Sequence, residues 1–353
     1  MFSCWLKQRI TENKTKTIFF LSREGRIFQH AYELLFPQET WKIKYLNVSR
    51  RALTVPLLCK KQYKDVIEVL EYLTIKHDAT VGETTKYLGI ELDELDSNAN
   101  DNIYETLKNN RTLSSKFQKV LRNKSKEEYA RMKAYFEQVG VKPGCTVVDI
   151  GWNGTMQKCI ADYLALEGME AFVQGYYLSL FGKITNAEGC IKLDDIAYRE
   201  VNGNPVFIET LLQNNEGSTV GYQFDEDGSV IPIKKKIEYD EFSKSAISFI
   251  RMGAFEYLSN TIKTNTMNRE DTLSKLRSFI GKPRNIYIKA FQKFSYSDIA
   301  INKVIATNNR INIDNFTQNI YSSAWKTGYL KSILKLPVNY QYLLDILKWI
   351  FSR

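Results

Sequence analysis

The chain has 353 residues, of which 44% are apolar, enough for one large domain or two ordinary domains, and its formal net charge of +9 favours anionic ligands or surfaces. Two histidines argue against a histidine base or a His-rich metal centre, and five cysteines without paired spacing predict free thiols rather than a zinc site or a disulfide framework. No stretch approaches the ~20 apolar residues of a membrane helix, and residues 1–16 lack the apolar core of a signal peptide, so we expect a cytoplasmic protein.

A strand, a helix and a second strand are predicted near the start of the chain. The sequence "TIFFLSREG" at 17–25 is an apolar run that ends in a polar turn, and residues 26–36 have apolar side chains at helical spacing. The sequence "KIKYLNVSRRAL" at 42–53 follows as a second strand. This order predicts a parallel, right-handed crossover unit whose strands end at the same rim of a sheet.

Residues 60–135 are predicted to form a helical insertion, because segments such as "VIEVLEYLTI" carry apolar residues at helical spacing. Within it, residues 80–95 have a faint helix-turn-helix rhythm. The stretch that follows, "ELDSNANDN", is acidic and polar where a recognition helix needs Lys and Arg. We therefore predict a small helical cap and no nucleic-acid partner.

The sequence "CTVVDIGWNGT" at 145–155 predicts a strand, a glycine-rich turn and the start of a helix. Backbone N–H groups at a helix start have no partner within the helix, and Gly151 and Gly154 let an anion approach them closely. A fourth strand is predicted in "AFVQGYYLSLFG" at 171–182. At least four strands thus alternate with helices, as in doubly wound sheets, whose ligands lie at the carboxyl ends of the strands.

From about residue 236 onward the pattern is helical. We predict an α/β domain over 1–235 and a helical C-terminal region over 236–353. The final stretch, "YQYLLDILKWIF", carries aromatic residues and a Lys, which leaves contact with a membrane surface open. Docking of this helix onto the protein's own core is the favoured interpretation.

Three rim segments are expected to converge: 22–25, 49–51 and 149–155. Arg23 on one segment, and the pair Arg50 and Arg51 on another, give two positive sites beside the glycine-rich turn. This arrangement implies a ligand with two separated phosphate groups.

Residues 146–164, taken alone, also fit the nucleotide loop of class I methyltransferases. Such an enzyme needs neither arginine cluster. It would also need an acidic residue at the end of the next strand to hold the ribose of its cofactor, and "GYYLSLFG" has none.

The motifs "FLSREG", "VSRRAL" and "VVDIGWNGT" together resemble the type I phosphoribosyltransferase fold. With "NEGSTVGYQ" and the helical tail, the chain resembles a group of bacterial glycan phosphoribosyltransferases, which are encoded in polysaccharide gene clusters or fused to a haloacid dehalogenase-type phosphatase. The resemblance implies an α/β fold with a parallel sheet of type I phosphoribosyltransferase topology. It also implies transfer of 5-phosphoribose from phosphoribosyl pyrophosphate to a growing surface glycan, an O antigen or a capsule.

The resemblance assigns roles to particular residues. Those that would bind pyrophosphate are Ser22, Arg23, Glu24, Gly25, Arg50 and Arg51. Those that would cradle the 5-phosphate are Gly151, Trp152, Asn153, Gly154 and Thr155. Asp149 would face the ribose hydroxyls or a Mg²⁺ ion. Because Ile150 follows Asp149 where the common type I loop has a second acid, the need for metal stays open.

Breaking the anomeric bond builds oxocarbenium character on the ribose, so Arg23, Arg50 and Arg51 suit stabilisation of the leaving pyrophosphate. The attacking hydroxyl needs a proton acceptor, for which Glu209 and Glu216 are candidates beside Asp149. Direct displacement from the α-configured donor would give a β-linked product.

We expect the product to keep its 5-phosphate, because no Asp-x-Asp nucleophile motif follows an apolar strand in this chain. A separate haloacid dehalogenase-type phosphatase would then complete the reaction. The expected acceptor is a lipid-linked glycan at the inner face of the cytoplasmic membrane, where the +9 charge favours peripheral association with anionic lipids. A methyltransferase and a non-catalytic assembly protein of a glycan operon stay open as alternatives.

Overall fold

The computed structural model describes residues 1–38, 41–95, 97–236, 240–264, 268–297, 301–306 and 313–351. The strands of its central sheet are β1 (Thr17–Leu21), β2 (Lys42–Leu46), β3 (Cys145–Asp149), β4 (Val173–Ser179) and β5 (Ala187–Ile191). They lie in the order β2-β1-β3-β4-β5, and every neighbouring pair is parallel. The predicted α/β class and the four predicted strands are confirmed, and β5 is a further strand at one edge.

The described helices are, in chain order, α1 (Phe2–Glu12), α2 (Gly25–Leu35), α3 (Arg50–Leu57), α4 (Val66–Tyr72), α5 (Val81–Leu88), α6 (Ile103–Asn109), α7 (Arg111–Val139), α8 (Thr155–Leu166), α9 (Tyr198–Gly203), α10 (Pro205–Leu211), α11 (Glu241–Thr264), α12 (Arg269–Gly281), α13 (Asn285–Phe291), α14 (Ile313–Ser322), α15 (Lys326–Leu334) and α16 (Tyr340–Phe351). Two antiparallel pairs are β6 (Thr219–Phe224) with β7 (Val230–Lys234), and β8 (Ser295–Ser297) with β9 (Ile301–Lys303). The sequence patterns predict neither pair, and the second lies within the C-terminal region that the sequence predicts to be helical.

The central sheet is covered on both faces, because alternate residues of each strand point to opposite sides. In β1, Phe19 and Leu21 join a buried cluster with side chains of α3, α7 and α8. Ile18 and Phe20 join a second cluster with side chains of α1, α2 and α9. This layering leaves the loops after the strands together at the carboxyl edge of the sheet.

The segment between β2 and β3 has a core of its own, built by α4, α5, α6 and the first half of α7. The long helix α7 continues from this core onto the sheet: Phe117 packs in the insertion, whereas Met132 and Phe136 pack against the strands. Gly140, in the left-handed conformation (φ +80°), ends the helix. One helix therefore connects the two cores.

Helix α10, which comes after β5 in the chain, packs against the C-terminal helices. Phe207 of α10 stacks on Trp325, with ring centroids 4.2 Å apart and planes inclined by 5°. Asn204, directly before α10, is buried and accepts hydrogen bonds from the backbone and the hydroxyl of Thr327 at 3.2 and 3.3 Å. No helix in the described ranges is both long enough and apolar enough to span a bilayer.

Candidate functional site

The loops after β1, β2 and β3 line a cavity of about 190 Å³ at the carboxyl edge of the sheet. From β1 the chain crosses first to β2 on one side and later to β3 on the other, so the cavity lies where the strand order reverses. Open parallel α/β sheets bind their ligands at this position. All three rim segments that the sequence predicts to converge contribute residues to the lining.

The loop after β1 is joined to the loop after β2 by a buried serine. The Ser22 hydroxyl donates to the carbonyl of Val48 at 2.6 Å and accepts from its amide at 3.0 Å. Arg23 lines the cavity, with its Nη2 3.5 Å from Glu24 Oε1. Gly25 begins α2, and a Cβ there would lie only 3.0 Å from a backbone carbon of β1. Ser22 thus holds the loop in place, while Arg23 and Glu24 line the space beside it.

The adjacent arginines of α3 have different surroundings. Arg50 is exposed and lines the cavity, and its Nη1 donates to the Thr74 hydroxyl at 3.3 Å. Arg51 is buried and forms a bidentate pair with Glu128, with Nη1–Oε2 at 2.5 Å and Nη2–Oε1 at 2.8 Å. Its remaining N–H groups donate to backbone carbonyls of α5 and β6.

This environment corrects the role predicted for Arg51 in pyrophosphate binding and catalysis. A guanidinium has five N–H donors, and all five have partners within the protein. Arg51 connects α3 to the insertion and to the β6–β7 hairpin. Arg50 and Arg23 are the predicted arginines that line the cavity.

The loop after β3 contains two glycines with positive φ, Gly151 and Gly154. Gly151 has φ +148°, and a Cβ there would overlap the Ser179 carbonyl oxygen, so a side chain does not fit. Gly154, at φ +61°, is the residue before α8, and Thr155 begins that helix. The free N–H groups of the first turn of α8 therefore lie at the cavity, beside Asn153 and Thr155 in its lining.

Three carboxyl groups, those of Glu24, Asp149 and Glu209, line the same cavity. Asp149 is buried, and its Oδ1 accepts a hydrogen bond from the Ile150 amide at 2.8 Å. Burial, together with the charges of Glu24 and Glu209, raises the pKa of Asp149 well above the ordinary carboxyl value. In the described part of the chain, no group of three or more His, Cys, Asp or Glu side chains is arranged to hold a metal ion by itself.

The two glutamates predicted as bases lie in different places. Glu209, on α10, lines the cavity, and its Oε1 accepts from the Trp152 indole Nε1 at 2.7 Å. Glu216 does not line the cavity: it accepts a hydrogen bond from the Tyr45 hydroxyl and lies 3.4 Å from Lys234 Nζ. Glu209 therefore stays the candidate base, whereas Glu216 contacts Tyr45 and Lys234 outside the cavity.

Phe181 contacts the cavity residue Trp152, and the sequence patterns do not single it out. It follows β4, and its ring stacks on Trp152 with centroids 5.3 Å apart and planes inclined by 20°. The side chain is 45% exposed although it is large and apolar. Its position at the carboxyl end of the stretch 171–182, which the sequence predicts as the fourth strand, is the signal that could have identified it.

Trp152 is only 8% exposed, because it lies between Phe181 and Glu209.

The chain matches no protein-family model and no curated protein sequence.

Proposed function

We propose that this protein is a phosphoribosyltransferase that moves 5-phosphoribose from phosphoribosyl pyrophosphate to a sugar hydroxyl of a bacterial surface glycan, releasing pyrophosphate. One observation carries the proposal: two helix starts that suit phosphate, at Gly25 and Thr155, flank a single cavity that also contains arginines and carboxylates. A donor with phosphate groups at both ends of a ribose matches this order of charges. In this proposal the central sheet of the protein has the type I phosphoribosyltransferase topology.

In this proposal the 5-phosphate binds the loop from Gly151 to Thr155, where helix N–H groups and the Thr155 hydroxyl can donate to it. The pyrophosphate lies toward Arg23 and Arg50, on the β1 and β2 side of the cavity. The ribose then lies above Asp149. Binding energy from the two phosphate ends would position the anomeric carbon between them.

Transfer breaks the bond between the anomeric carbon and the pyrophosphate oxygen while the acceptor oxygen forms a new bond to that carbon. Negative charge grows on the departing pyrophosphate, and Arg23 and Arg50 stabilise it. The acceptor hydroxyl loses its proton to Glu209, whose carboxylate is oriented by the Trp152 indole. Inversion at the anomeric carbon gives a β-linked product.

Mg²⁺ is compatible with the cavity, because a buried Asp149 with two further carboxylates nearby is short of positive charge. Mg²⁺ binds through one or two carboxylates together with substrate phosphates, so Asp149 and Glu24 would hold it jointly with the donor. When bound, the ion would neutralise charge on the pyrophosphate.

The product of this reaction keeps the 5-phosphate, because that group serves to bind the donor and no bond to it is broken in the transfer. A haloacid dehalogenase-type phosphatase would remove it afterwards. The acceptor would be a lipid-linked precursor of an O antigen or a capsule, in the cytoplasm at the inner face of the membrane.

The proposal is tested by incubating the protein with phosphoribosyl pyrophosphate, Mg²⁺ and a lipid-linked glycan acceptor. We expect acceptor-dependent release of pyrophosphate and an acceptor that gains a phosphoribosyl group by mass spectrometry. An acceptor that gains ribose without phosphate would overturn the two-enzyme scheme. Methyl transfer from S-adenosylmethionine would support the methyltransferase alternative, and the absence of pyrophosphate release would favour a non-catalytic assembly protein.

A further inference from the structure

The last helix, α16, carries apolar side chains on both of its faces. The inner face packs into the C-terminal core through Tyr340 and Leu344, as predicted for docking onto the protein itself. The outer face exposes four large side chains by 50 to 57%: Tyr342, Ile346, Trp349 and Ile350. Residues at i, i+4, i+7 and i+8 share one side of a helix. We call these four residues the α16 outer face.

Exposed apolar side chains are concentrated in this part of the chain. Of the twenty large hydrophobic residues exposed among the described residues, seven lie within 334–350; the other three are Leu334, Leu336 and Val338. Single exposed apolar residues are normal on a protein surface, but a group of this density marks an interaction surface.

Two exposed lysines, Lys335 and Lys348, give positive charge to the part of the chain that carries the α16 outer face. From residue 326 to residue 351 the sequence has four lysines and a single acidic residue, Asp345. Asp345 is already paired with Arg199.

The Arg199 guanidinium lies 5.3 Å from the centre of the Tyr342 ring. Arg277 Nη2 donates to the Tyr342 hydroxyl at 3.1 Å, and its Nε lies 3.3 Å from Glu200 Oε1, so both arginines beside Tyr342 are paired with carboxylates.

An exposed apolar helix face can bind a second copy of the chain or a lipid bilayer, and the nearby positive charges favour one of these two partners. A second copy of the chain bound through the same face would bring each set of cations against its own symmetry mate. An anionic bilayer attracts lysine and arginine, accepts apolar side chains at the boundary of headgroups and acyl chains, and favours Trp and Tyr at that depth.

We propose that the α16 outer face is a docking surface for an anionic lipid bilayer. The helix would lie in the plane of the membrane, with Ile346, Trp349 and Ile350 below the headgroups and the neighbouring cations among them. This inference does not depend on the chemistry of the cavity. It would bring the protein to the surface that displays a lipid-linked acceptor.

The test is co-sedimentation of the full chain with vesicles of phosphatidylcholine containing about one third phosphatidylglycerol, and with vesicles of phosphatidylcholine alone. The wild type should bind the anionic vesicles at least about ten-fold more tightly than the neutral ones. The double variant Ile346→Ser/Trp349→Ser should lose at least about ten-fold in partition to the anionic vesicles.

The matched control is Phe224→Ser. Phe224 is 56% exposed, as Trp349 is 57% exposed, but it lies beside the acidic turn "DED" at 225–227 and should not face anionic lipid. This variant should bind vesicles like the wild type.

A second variant, Lys335→Glu/Lys348→Glu, tests the same surface without removing apolar side chains. Both lysines are exposed, so thermal unfolding should be unchanged while partition falls by about five-fold or more per charge. The proposal is overturned by a wild type that does not bind anionic vesicles, by unchanged binding of both double variants, or by a wild-type dimer that Ile346→Ser/Trp349→Ser converts to a monomer.

Discussion

Arg50 and Arg51 are adjacent in α3, but they point in different directions and have different surroundings. Successive side chains on a helix point roughly 100° apart, so Arg50 lines the cavity when Arg51 is directed to Glu128. An isolated Arg-Arg pair in a sequence does not show which of the two has a buried acidic partner, because Glu128 is far away along the chain. The burial of Arg51 is therefore beyond what a local pattern can predict.

We expect Arg51→Ala to reduce the free energy of unfolding by about 3–5 kcal/mol, because the buried Glu128 carboxylate would keep only the distant ion pair with Lys124, whose Nζ is 3.8 Å from Glu128 Oε1. Arg50→Ala should change it by no more than about 0.5 kcal/mol, since Arg50 is exposed. Urea denaturation of both variants measures the difference. The double variant Arg51→Met/Glu128→Leu should be less destabilised than Arg51→Ala, and equal stability of the two single variants would contradict the assignment.

Arg50, whose loss should hardly change stability, should be important for the rate of the proposed reaction. Loss of a contact to the leaving group can cost roughly a hundred-fold in rate, so Arg50→Ala should be strongly impaired in pyrophosphate release while remaining folded. Arg50→Lys should recover only part of the activity, because an ammonium lacks the bidentate fork. Full activity in Arg50→Ala would remove this residue from the proposed site.

Gly151 can be tested against a glycine that also has a positive φ but has open surroundings. Gly144 has φ +75° and no atom within 4 Å of the position that a Cβ would take, whereas a Cβ at Gly151 overlaps a backbone oxygen. We expect Gly144→Ala to cost about 1–2 kcal/mol for the left-handed conformation alone, and Gly151→Ala to cost clearly more. Equal losses in chemical denaturation would show that the β3 loop can relax around a side chain.

Asp149 should make stability depend on pH. Its pKa is raised in the folded protein by burial and by the neighbouring glutamates, so the folded state holds a proton that the unfolded chain releases. Stability is therefore fully present below the ordinary carboxyl pKa and is lost as the pH rises toward the raised value. Asp149→Asn keeps the acceptor for the Ile150 amide and should be more stable than the wild type at pH 7, with a flatter pH profile.

Urea denaturation across a pH series measures this effect. The variant should also lose turnover, because binding of Mg²⁺ and donor would displace the Asp149 proton and use the carboxylate, whereas an amide cannot take that role. A variant that is less stable than the wild type at every pH would show that the Asp149 carboxylate is compensated by a charge that the structure does not indicate.

At the scale of elements, the glycine-rich loop depends on the segments packed around it. The loop after β4 supplies Phe181, which stacks on Trp152, and α10 supplies Glu209, which accepts from the same indole. Trp152 is therefore fixed by two segments that are distant in sequence. If the cavity transfers a sugar as proposed, the exposed Phe181 ring beside it is suited to stacking on the face of the acceptor sugar.

We expect Phe181→Ala to raise the KM for the glycan acceptor by about ten-fold, while the affinity for phosphoribosyl pyrophosphate stays unchanged. Phe172→Ala is the matched control, because Phe172 is an exposed phenylalanine that precedes β4 at the opposite edge of the sheet. Steady-state kinetics with each substrate varied separately distinguish these effects. An equal rise in the KM of both substrates would place Phe181 in donor binding instead.

Of the strands that the sequence predicts, β1, β3 and β4 are mostly buried, and β2 is a partly buried edge strand. β1 and β3 are apolar runs with β-branched or aromatic residues, and they end in polar turns. β5, "AEGCI", lies at the sheet edge and has little of this character, so only its pairing with β4 makes it a strand. The β6–β7 hairpin has a local turn at 225–229, but its contacts with α7 and with Arg51 join residues that are remote in sequence.

At the scale of the whole molecule, two satellite cores support the central α/β unit. The insertion core reaches the sheet through α7, and the C-terminal core reaches the cavity through Phe207 and Glu209 on α10. The helical character of both regions follows from local apolar spacing in the sequence. Their attachment to the site does not, since it depends on pairs such as Phe207 with Trp325 and Asn204 with Thr327 that no local pattern links.

The proposed function requires the cavity between β1 and β3 to bind phosphoribosyl pyrophosphate. Calorimetric titration of this donor into the intact protein with Mg²⁺ measures that binding without any acceptor. We expect saturable binding at one site per chain, and a hundred-fold excess of donor over its Kd should stabilise the fold by about 2.7 kcal/mol. No saturable heat with phosphoribosyl pyrophosphate, or saturable binding of S-adenosylmethionine in its place, would contradict the proposed function.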